Sequence, residues 1–465
     1  LKPMRHYGLL GEKLSHSYSK EIHTYLFKRL NLDADYSLIE CQQTDLKEYI
    51  QKLRDGFYHG FNVTMPYKKT ILSFLDEIDD KAKRIGSVNT IYLKDGRVCG
   101  TNTDYDGFLE TLKQYQVEVQ NKHCYVLGTG GASLSVCTVL KDLGGIVCQV
   151  SRTPNLNQMS YKELEEKSID LLVNTTPVGM YPNIDASPVT KEIACKAGKV
   201  IDIIFNPTET VLLRDSHSEI NGLYMLVMQA MKAEEIWQQT NISVSGLEIM
   251  DYLKLLLDLP KEIYELIKGL RCEKDCLGRS QDEVYVFDQL YVLKISSSKE
   301  GLLREKECND WLESKISGPK SILFVDHNSR FYYLRSYLKG DSLISKRFLE
   351  QPLLLIETIK KVVTVLRSLD SASCPFQSRD SKGNSFIHGD LCLPNIYVNE
   401  ANEFVGFIDL EDAGLGDAWM DYAWLIWSFE YNLKTKMYTK QLLDALGLEM
   451  DYDKYNRYIQ GGNKI

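Results

Sequence analysis

Glycines, hydroxyls and one arginine in the middle of the chain have the types and spacing to bind a nucleotide. GTGGAS (128–133) follows the apolar run 124–127 and precedes a helical pattern. In such a turn, backbone N–H groups and the N-terminus of the next helix can hold a pyrophosphate. A Gly-rich turn alone is equally typical of a plain tight turn. The candidate cofactor-binding residues here are Gly128, Gly130, Gly131 and Ala132.

The residues that follow the next strand indicate which nucleotide would fit. That strand ends at Val150 and continues as Ser151, Arg152 and Thr153. A site selective for NAD needs an acidic residue here to bind the ribose 2′-hydroxyl. An arginine with two hydroxyls suits a 2′-phosphate instead, so the sequence favours NADP(H).

A second group of residues, in the C-terminal half, could transfer a phosphoryl group. HGDLCLPN (388–395) is followed by a β-rich run and FIDLEDAG (407–414). Asp390 would accept the proton of a substrate hydroxyl, and Asn395 and Asp409 would bind Mg²⁺ through oxygen ligands. Taken singly, Asp390 is also typical of a turn and Asp409 of a strand-end cap. Their order and spacing favour the catalytic interpretation.

The ATP side of this second site would be built from a lysine and its partners. Lys294 lies in the apolar strand LYVLKI (290–295), where a lysine needs an anionic partner or ligand. Glu305 in the next helix is suitably spaced to pair with it. Ser280, in the Gly/Ser turn before this region, is a further candidate for binding the nucleotide.

The composition limits the class of protein that positions these residues. The chain has 465 residues, a net charge of −9 and 44% hydrophobic residues, which is typical of a folded protein of two to four domains. The acidic balance argues against a nucleic-acid or membrane-surface binder, and no apolar run reaches the roughly 18 residues of a membrane span. Eleven cysteines without a CxxC pair indicate reduced thiols and a cytoplasmic location.

The order of elements predicts several domains. Short β-rich runs alternate with helical patterns in the first half, which is typical of parallel sheets with crossover helices. Residues 246–270 form an apolar-periodic helix broken at Pro260, and we expect the boundary between the halves within this segment. The second half has β-rich runs at 284–295 and 331–338, helices at 303–315 and about 348–370, and a Trp/Tyr-rich helical tail after 417.

The first half resembles the shikimate dehydrogenases over about residues 4–245. The resemblance is carried by these motifs in order: SHSYSKEIH (15–23), NVTMPYK (62–68), GSVNT (86–90), GTNTDYDG (100–107), GTGGAS (128–133), SRT (151–153), NTTPVGM (174–180) and MLVMQA (225–230). It implies an α/β substrate-binding domain at 1–104, to which 225–245 return, and a Rossmann NADP-binding domain at 105–245. Residues 246–270 would then be a connecting helix.

The resemblance also implies roles for particular side chains. Reduction of a ketone needs a proton donor for the developing alkoxide, and the family positions of Lys68 and Asp104 form an acid–base pair against the reacting hydroxyl. A surface salt bridge is the alternative for any Lys–Asp pair. Ser15 and Ser17 match positions that bind the substrate carboxylate, although a Ser-x-Ser segment is also typical of a turn or helix cap. The residues matching positions that bind ring hydroxyls are Asn62, Thr64, Asn89 and Gln229.

Two departures from the dehydrogenase pattern bear on specificity. The family usually has Tyr where this chain has Phe205, so one hydroxyl contact to the substrate carboxylate is expected to be missing. The second basic residue often found just after the SRT segment is replaced by Pro154, Asn155 and Leu156, which predicts weaker selectivity for NADP over NAD. Quinate remains open as a side substrate.

The second half resembles the aminoglycoside phosphotransferases over about 260–459, which implies a bilobal protein-kinase-like fold. The N-lobe is expected at 271–340 and the C-lobe at 341–465. In that family, the positions of Asp417 and Asp421 support the catalytic region, and we interpret Trp419 and Trp424 as core residues. The long helical insertion that forms much of the antibiotic site is reduced here to residues 377–387, and the chain has no acidic, aromatic tail. A smaller, non-cationic hydroxyl substrate is therefore favoured, because a polycation needs desolvated carboxylates.

Together these features predict a multidomain α/β and α+β enzyme with two activities. The hypothesis is that 3-dehydroshikimate is reduced with NADPH and that the product shikimate is then phosphorylated with ATP and Mg²⁺. No GxxxxGK[ST] sequence is present, so kinase activity would come from the kinase-like half. An aminoglycoside or other polyol as phosphoacceptor, GTP as donor, and a non-catalytic nucleotide-binding module remain alternatives. The expected partners are small-molecule substrates, and the oligomeric state is left open.

Overall fold

The chain forms two compact units that divide between Leu259 and Pro260. The computed structural model describes residues 4–15, 17–275, 282–378 and 381–460. The predicted connecting helix at 246–270 is two helices, because Pro260 has no N–H to donate and interrupts the helical hydrogen bonds. Its first part packs against the helices Ser19–Arg29 and Leu223–Gln238 and so belongs to the first unit.

The first unit alternates strands and helices, as predicted for an α/β architecture. Its strands are β1 Arg5–Gly11, β2 Ala34–Glu40, β3 Tyr58–Val63, β4 Glu77–Ile78, β5 Thr90–Lys94, β6 Arg97–Thr101, β7 His123–Leu127, β8 Ile146–Ser151, β9 Gln158–Ser160, β10 Leu171–Asn174 and β11 Lys199–Asp202. Its helices are α1 Ser19–Arg29, α2 Leu46–Arg54, α3 Asp80–Ile85, α4 Thr103–Gln114, α5 Gly131–Asp142, α6 Tyr161–Leu164, α7 Lys191–Lys196, α8 Val211–Ser216, α9 Leu223–Gln238 and α10 Gly246–Asp258, with 3₁₀ turns at Gln43–Asp45 and Thr70–Phe74.

Two sheets form the frame of the first unit. The mixed sheet has the order β2-β1-β3-β5-β6-β4, and the parallel sheet has the order β11-β10-β7-β8-β9. Both faces of the parallel sheet are covered, which explains its continuous apolar strands. Val126 and Val173 pack into the core on one face, and Leu127 and Leu172 into the core on the other. This confirms the Rossmann-type α/β fold.

The second unit combines an antiparallel sheet with a larger helical part. Its strands are β12 Cys272–Lys274, β13 Glu283–Phe287, β14 Tyr291–Ser296, β15 Ser321–His327, β16 Arg330–Ser336, β17 Asp341–Ser342, β18 Ser385–Ile387, β19 Ile396–Val398, β20 Phe404–Phe407 and β21 Gly414–Gly416. Its helices are α11 Lys261–Ile267, α12 Lys299–Glu313, α13 Lys346–Leu349, α14 Pro352–Arg367, α15 Ala418–Leu433, α16 Thr439–Leu446 and α17 Tyr452–Gln460, with 3₁₀ turns at Ser371–Ser373 and Leu393–Asn395.

The second unit has the bilobal, kinase-like organisation that the sequence predicts. A five-stranded antiparallel sheet of order β12-β13-β14-β16-β15 carries α12 and forms the smaller lobe. The helices and two small sheets, β17-β19-β20 and β18-β21, form the other lobe. Helix α12 begins at Lys299, four residues before the predicted start, because its first turn is polar and lies outside the apolar pattern. Among the described residues, no helix is both long and apolar enough to cross a membrane.

A buried carboxyl group holds the end of the parallel sheet together. Asp202, at the end of β11, accepts hydrogen bonds from Asn174 Nδ2 at 3.0 Å, Ile204 N at 3.1 Å and Thr210 Oγ1 at 2.7 Å. Burial raises the pKa of Asp202 from 3.8 to about 6, although these hydrogen bonds oppose the shift. A raised folded-state pKa means that this group stabilises the fold at low pH and that this contribution is lost as pH rises through about 6.

We expect Asp202 alone to lower the free energy of unfolding of the first unit by about 1.4 kcal/mol between pH 5 and pH 7.5. Asp202→Asn should remove this component, because its amide keeps one accepting oxygen and can donate to the hydroxyl of Thr210. Urea unfolding of both proteins at the two pH values measures it. A difference in stability between the two proteins that does not change with pH would contradict the expectation.

Candidate active sites

Lys68 and Asp104 meet in the first unit. Lys68 Nζ lies 2.5 Å from Asp104 Oδ2, and their side chains are 18% and 9% exposed. The pair is therefore mostly enclosed but still open to a small molecule. An enclosed ammonium group next to a carboxylate can give a proton to a substrate oxygen and be reprotonated through its partner.

Three chain segments converge to hold Asp104. It lies in the first turn of α4, whose N-cap residue Asn102 accepts a hydrogen bond from Tyr105 N. Asn89 Nδ2 donates to Asp104 Oδ1 at 2.8 Å, so the carboxylate is fixed on the oxygen that does not face Lys68. Ser135 on α5 donates to Asn102 Oδ1 at 3.0 Å and ties this turn to the nucleotide-binding side of the unit.

Asn62, Gln229 and Thr64, the other residues expected to bind ring hydroxyls, differ in how they are linked to the segments that hold this pair. Asn62, at the end of β3, accepts from Tyr36 and donates to Asn89 O at 3.3 Å and Thr90 Oγ1 at 3.1 Å. Gln229 lies on α9, which packs closely against α4 at Gly107. A Cβ at Gly107 would lie only 3.1 Å from the Cβ of Gln229, so glycine permits this close approach of the two helices. Thr64 follows β3 and is half-buried, with its N–H donating to Leu10 O.

The two serines expected to bind the substrate carboxylate, Ser15 and Ser17, have different surroundings. Ser15 is exposed, whereas the hydroxyl of Ser17 lies 3.2 Å from that of Ser19, the first residue of α1. Ser19 is thus a further candidate beside Ser15 and Ser17, and the sequence reasoning did not single it out. Two overlapping Ser-x-Ser segments occur here, and spacing alone does not distinguish them. Phe205 packs edge-on against Tyr18, with ring centroids 6.0 Å apart.

The Gly-rich turn between β7 and α5 fits a nucleotide. Gly128 has φ +106°, a conformation that favours glycine, and a Cβ there would lie 3.0 Å from Thr175 Oγ1. A Cβ on Gly130 would have no atom within 4 Å, so that side of the turn is open. A Cβ on Gly131 would lie 3.2 Å from Lys68 Cδ, which brings the start of α5 next to the candidate acid. Ala132 follows in the first turn of α5.

The end of β8 carries the three residues expected at the ribose. Ser151 accepts a hydrogen bond from Thr153 N at 3.2 Å, which fixes a turn there. Arg152 in this turn is exposed and positively charged. These residues fit a 2′-phosphate, because a guanidinium group binds phosphate oxygens in a fixed geometry.

In the second unit, Lys294 is held between two carboxylates. Its Nζ lies 2.6 Å from Glu305 Oε2 and 3.0 Å from Asp409 Oδ1. Burial by itself would lower the pKa of Lys294, but the charges of Glu305 and Asp409 raise it above its ordinary value. Arg335, on the neighbouring strand β16, adds a second cation 3.7 Å from Glu305 Oε1. The lysine is therefore a fixed positive charge that a phosphate can share.

Asp390 and Asn395 lie in one short loop between β18 and β19. Asn395 Nδ2 donates to the backbone oxygen of Asp390 at 3.0 Å and to its carboxylate Oδ2 at 3.4 Å, which holds the amide beside Asp390. His388 Nδ1 accepts from Asp390 N at 3.3 Å and its Nε2 bonds to Ile408 O at 3.0 Å. This last contact connects the loop to the strand end that carries Asp409. Asp409 itself has φ +64°, a conformation that aspartate tolerates better than most residues.

The buried carboxylate of Asp421 binds the backbone of this loop. It accepts hydrogen bonds from the backbone of His388 at 3.1 Å and of Gly389 at 3.0 Å, and it pairs with Arg367. Asp417 instead caps α15 and pairs with Lys454 at 2.8 Å.

The predictions for the two tryptophans, for Ser280 and for the metal ligands complete the description of this half. Trp424 is buried, and Trp419 is half-buried against the main core of the unit. Ser280 lies outside the described residues. Mg²⁺ usually takes one or two protein oxygens together with phosphate oxygens and water, so the oxygens of Asn395 and Asp409 suit this ion. Within the described residues, no group of three or more His, Cys, Asp or Glu side chains forms a site that could hold a metal by itself.

Comparison with known proteins agrees with this division into two enzymes. The family model described as shikimate dehydrogenase substrate binding domain matches residues 9–91, and the one described as phosphotransferase enzyme family matches residues 379–457. Shikimate dehydrogenase (NADP(+)) of Clostridium beijerinckii is 43% identical over 253 residues, which cover 94% of that protein and 51% of this chain. The corresponding protein of Clostridium perfringens is 40% identical over 258 residues, covering 95% of that protein and 52% of this chain.

Solved structures match the dehydrogenase half of the chain. Shikimate dehydrogenase 1 from Peptoclostridium difficile has 42% identity and a TM-score of 0.51, covering 99% of that chain and 55% of this one. A chorismate mutase/shikimate 5-dehydrogenase fusion protein from Clostridium acetobutylicum has 38% identity and a TM-score of 0.54, covering 100% of that chain and 55% of this one. The chain thus joins a Rossmann-type dehydrogenase unit to a unit in which residues 379–457 match the phosphotransferase enzyme family. Through its first unit it belongs to the shikimate dehydrogenase family.

The turn after β8 gives a test of cofactor choice. We expect Arg152→Gln to weaken binding of NADP⁺ about tenfold or more, because a charged hydrogen bond to phosphate contributes roughly 1.5–3 kcal/mol. Binding of NAD⁺, which lacks the 2′-phosphate, should change less than about twofold. Titration of both nucleotides into wild type, the variant and Lys113→Gln, an exposed lysine of α4, measures the difference. Equal weakening of NADP⁺ and NAD⁺ would contradict the assignment of Arg152.

Proposed function

We propose that the first unit catalyses the NADP-dependent interconversion of 3-dehydroshikimate and shikimate. The observation that carries this proposal is the enclosed Lys68–Asp104 pair next to the Gly-rich turn, in a chain that belongs to the shikimate dehydrogenase family. The use of NADP(+) by its clostridial relatives agrees with Arg152 at the end of β8.

In this mechanism, bound NADPH supplies the hydride, and the residues of the chain handle binding and the proton. Lys68 donates a proton to the oxygen that becomes the hydroxyl group of shikimate. Asp104 holds the ammonium group of Lys68 in place, and in the reverse direction Lys68 takes the proton back from the hydroxyl group and can pass it on through Asp104. Asn89 keeps Asp104 oriented through its second oxygen. The hydroxyl groups of Ser17 and Ser19 are suited to a carboxylate, which needs hydrogen-bond donors.

Removal of either member of the pair should slow the reaction without abolishing cofactor binding. We expect Lys68→Met and Asp104→Asn each to lower kcat by about 100-fold or more, which is the usual contribution of a positioned proton donor, with the Kd for NADP⁺ unchanged within about twofold. Steady-state kinetics with shikimate and NADP⁺ measure kcat.

Lys81→Met provides the matched control for this experiment. Lys81 also pairs with an aspartate of α4 at 2.5 Å, namely Asp106, but this pair is more exposed and makes none of the contacts described for Asn89. It should retain near-normal kcat. A similar loss of kcat in Lys81→Met would mean that any Lys–Asp pair of this region matters only for the fold.

We further propose that the second unit transfers the γ-phosphoryl group of Mg-ATP to a hydroxyl group of a small molecule. Lys294 would bind the nucleotide phosphates, Asn395 and Asp409 would bind Mg²⁺, and Asp390 would accept the proton of the hydroxyl. The support is the approach of Lys294 to both Glu305 and Asp409, together with the loop that fixes Asp390 against Asn395. The match to the phosphotransferase enzyme family supports the class of reaction.

Shikimate is the phosphoacceptor we propose. It is the product of the first unit and bears both hydroxyl groups and a carboxylate. Asp417 and Asp421, the acidic residues expected to support the catalytic region, are occupied by Lys454 and by Arg367 with two backbone amides. They are therefore poorly placed to bind the amines of an antibiotic. Linkage of consecutive reactions in one chain is an argument by association, and the fusion protein of Clostridium acetobutylicum is another dehydrogenase of this family joined to a second enzyme.

Two alternatives remain for this unit, and one assay separates them. The full chain is incubated with Mg-ATP and either shikimate or kanamycin, beside the Asp390→Asn variant. We expect phosphorylation of shikimate alone and a loss of about 100-fold or more in Asp390→Asn. Phosphorylation of kanamycin alone would mean that the unit is an antibiotic phosphotransferase. Binding of ATP without transfer to either acceptor would indicate a nucleotide-binding module. Dehydrogenase activity of the same preparations controls for folding.

A further inference from the structure

A buried tyrosine lies at the junction of two groups of substrate residues in the first unit. Tyr36, on β2, is 2% exposed, and its hydroxyl donates to Asn62 Oδ1 at 2.7 Å. The side chain of Ser19 lies close enough to Tyr36 to lower the pKa of the phenol. Ser19 in turn lies 3.2 Å from Ser17, hydroxyl to hydroxyl. One phenol group therefore contacts both the serine loop before α1 and the amide at the end of β3.

The phenol is held from behind by a second buried group. Its ring stacks on the imidazole of His23, with centroids 4.2 Å apart and planes inclined by 5°. His23 Nδ1 lies 2.5 Å from Glu234 Oε1, and both side chains are completely buried. Gln238 Nε2 binds the other oxygen of Glu234 at 3.0 Å. Helices α1 and α9 thus fix the plane of the Tyr36 ring, and through it the position of the hydroxyl.

The protonation state of the phenol sets the direction of these hydrogen bonds. Burial and the nearby charge of Glu234 raise the pKa of Tyr36 well above its ordinary value, so the hydroxyl keeps its proton. That proton goes to Asn62 Oδ1. The amide of Asn62 must then point its nitrogen toward Asn89 O and Thr90 Oγ1, as observed.

We infer that Tyr36 is a positioning residue for the substrate, which couples the Ser17–Ser19 hydroxyls to Asn62 and fixes the distance between them. This inference rests on the proposed dehydrogenase function. A cyclic hydroxy acid presents its carboxylate and its ring hydroxyls at a fixed separation, so the groups that bind it must be held at a matching separation. Tyr36 sets this separation without touching Lys68 or Asp104.

Tyr36→Phe removes the hydroxyl and keeps the stacked ring, so it tests the coupling alone. We expect the KM for shikimate to rise about tenfold or more, kcat to change less than about threefold, and the KM for NADP⁺ to stay within about twofold. Tyr25→Phe is the matched control, because Tyr25 is another buried tyrosine, and its hydroxyl bonds at 2.5 Å to Glu248, away from Asn62 and Ser19. The thermal unfolding midpoint of each variant shows how far the fold is affected.

A double-mutant comparison with Ser19→Ala distinguishes coupling from two separate effects. If Tyr36 acts through Ser19 as well as Asn62, the double variant should raise the KM for shikimate by clearly less than the product of the two single increases. Multiplicative effects would overturn the coupling, as would a KM in Tyr36→Phe within twofold of wild type, or an equal rise in Tyr25→Phe. A wild-type chain with no activity on shikimate and NADP⁺ would overturn the proposed function and this inference together. Activity in wild type with an unchanged Tyr36→Phe would overturn the inference alone.

Discussion

The contact between Lys68 and Asp104 is the interaction on which the first unit depends. It requires that the turn after β3, the first turn of α4 and the start of α5 meet at one place. The parallel sheet, the cap at Asn102 and the glycine at 131 are the devices that bring these segments together. A lysine and an aspartate 2.5 Å apart within the fold also need neighbours that satisfy their other polar atoms, and Asn89 provides this for Asp104.

In the second unit, two acidic and two basic side chains lie close enough together to compensate each other's charges. Lys294 and Arg335 balance the buried Glu305 and the more exposed Asp409, so these charges compensate each other before any ligand arrives. A phosphate that approaches Lys294 would compete with Asp409, and Mg²⁺ would in turn give Asp409 a new partner. The arrangement of charges is thus suited to exchange partners when a metal nucleotide binds, while Glu305 stays paired with Arg335.

The fold class and most of the site could be predicted because their signals are local in sequence. Apolar strands beside a Gly-rich turn, and a lysine within a strand followed by an acidic residue in a helix, predict contacts that the structure contains. Ser19 was missed because two overlapping Ser-x-Ser segments have identical spacing, and only the start of α1 distinguishes them. Tyr36 gave no signal at all, since an aromatic residue in a half-buried strand is typical of a core, and its partners are 13 and 26 residues away in positions 23 and 62.

The two units differ in how far their chemistry specifies a substrate. In the first, hydroxyl, amide and ammonium groups are fixed by their own hydrogen bonds, and a site built from such groups rejects molecules that lack the matching polar groups. In the second, the described contacts hold the residues suited to binding ATP and Mg²⁺. The acceptor molecule would bind in the region around Asp390. There Asp421 and Asp417 are engaged by Arg367 and Lys454. Because an acceptor with several amines needs carboxylates that can reorganise around it, this arrangement favours an uncharged or anionic polyol. A hydroxy acid made by the first unit has that chemistry.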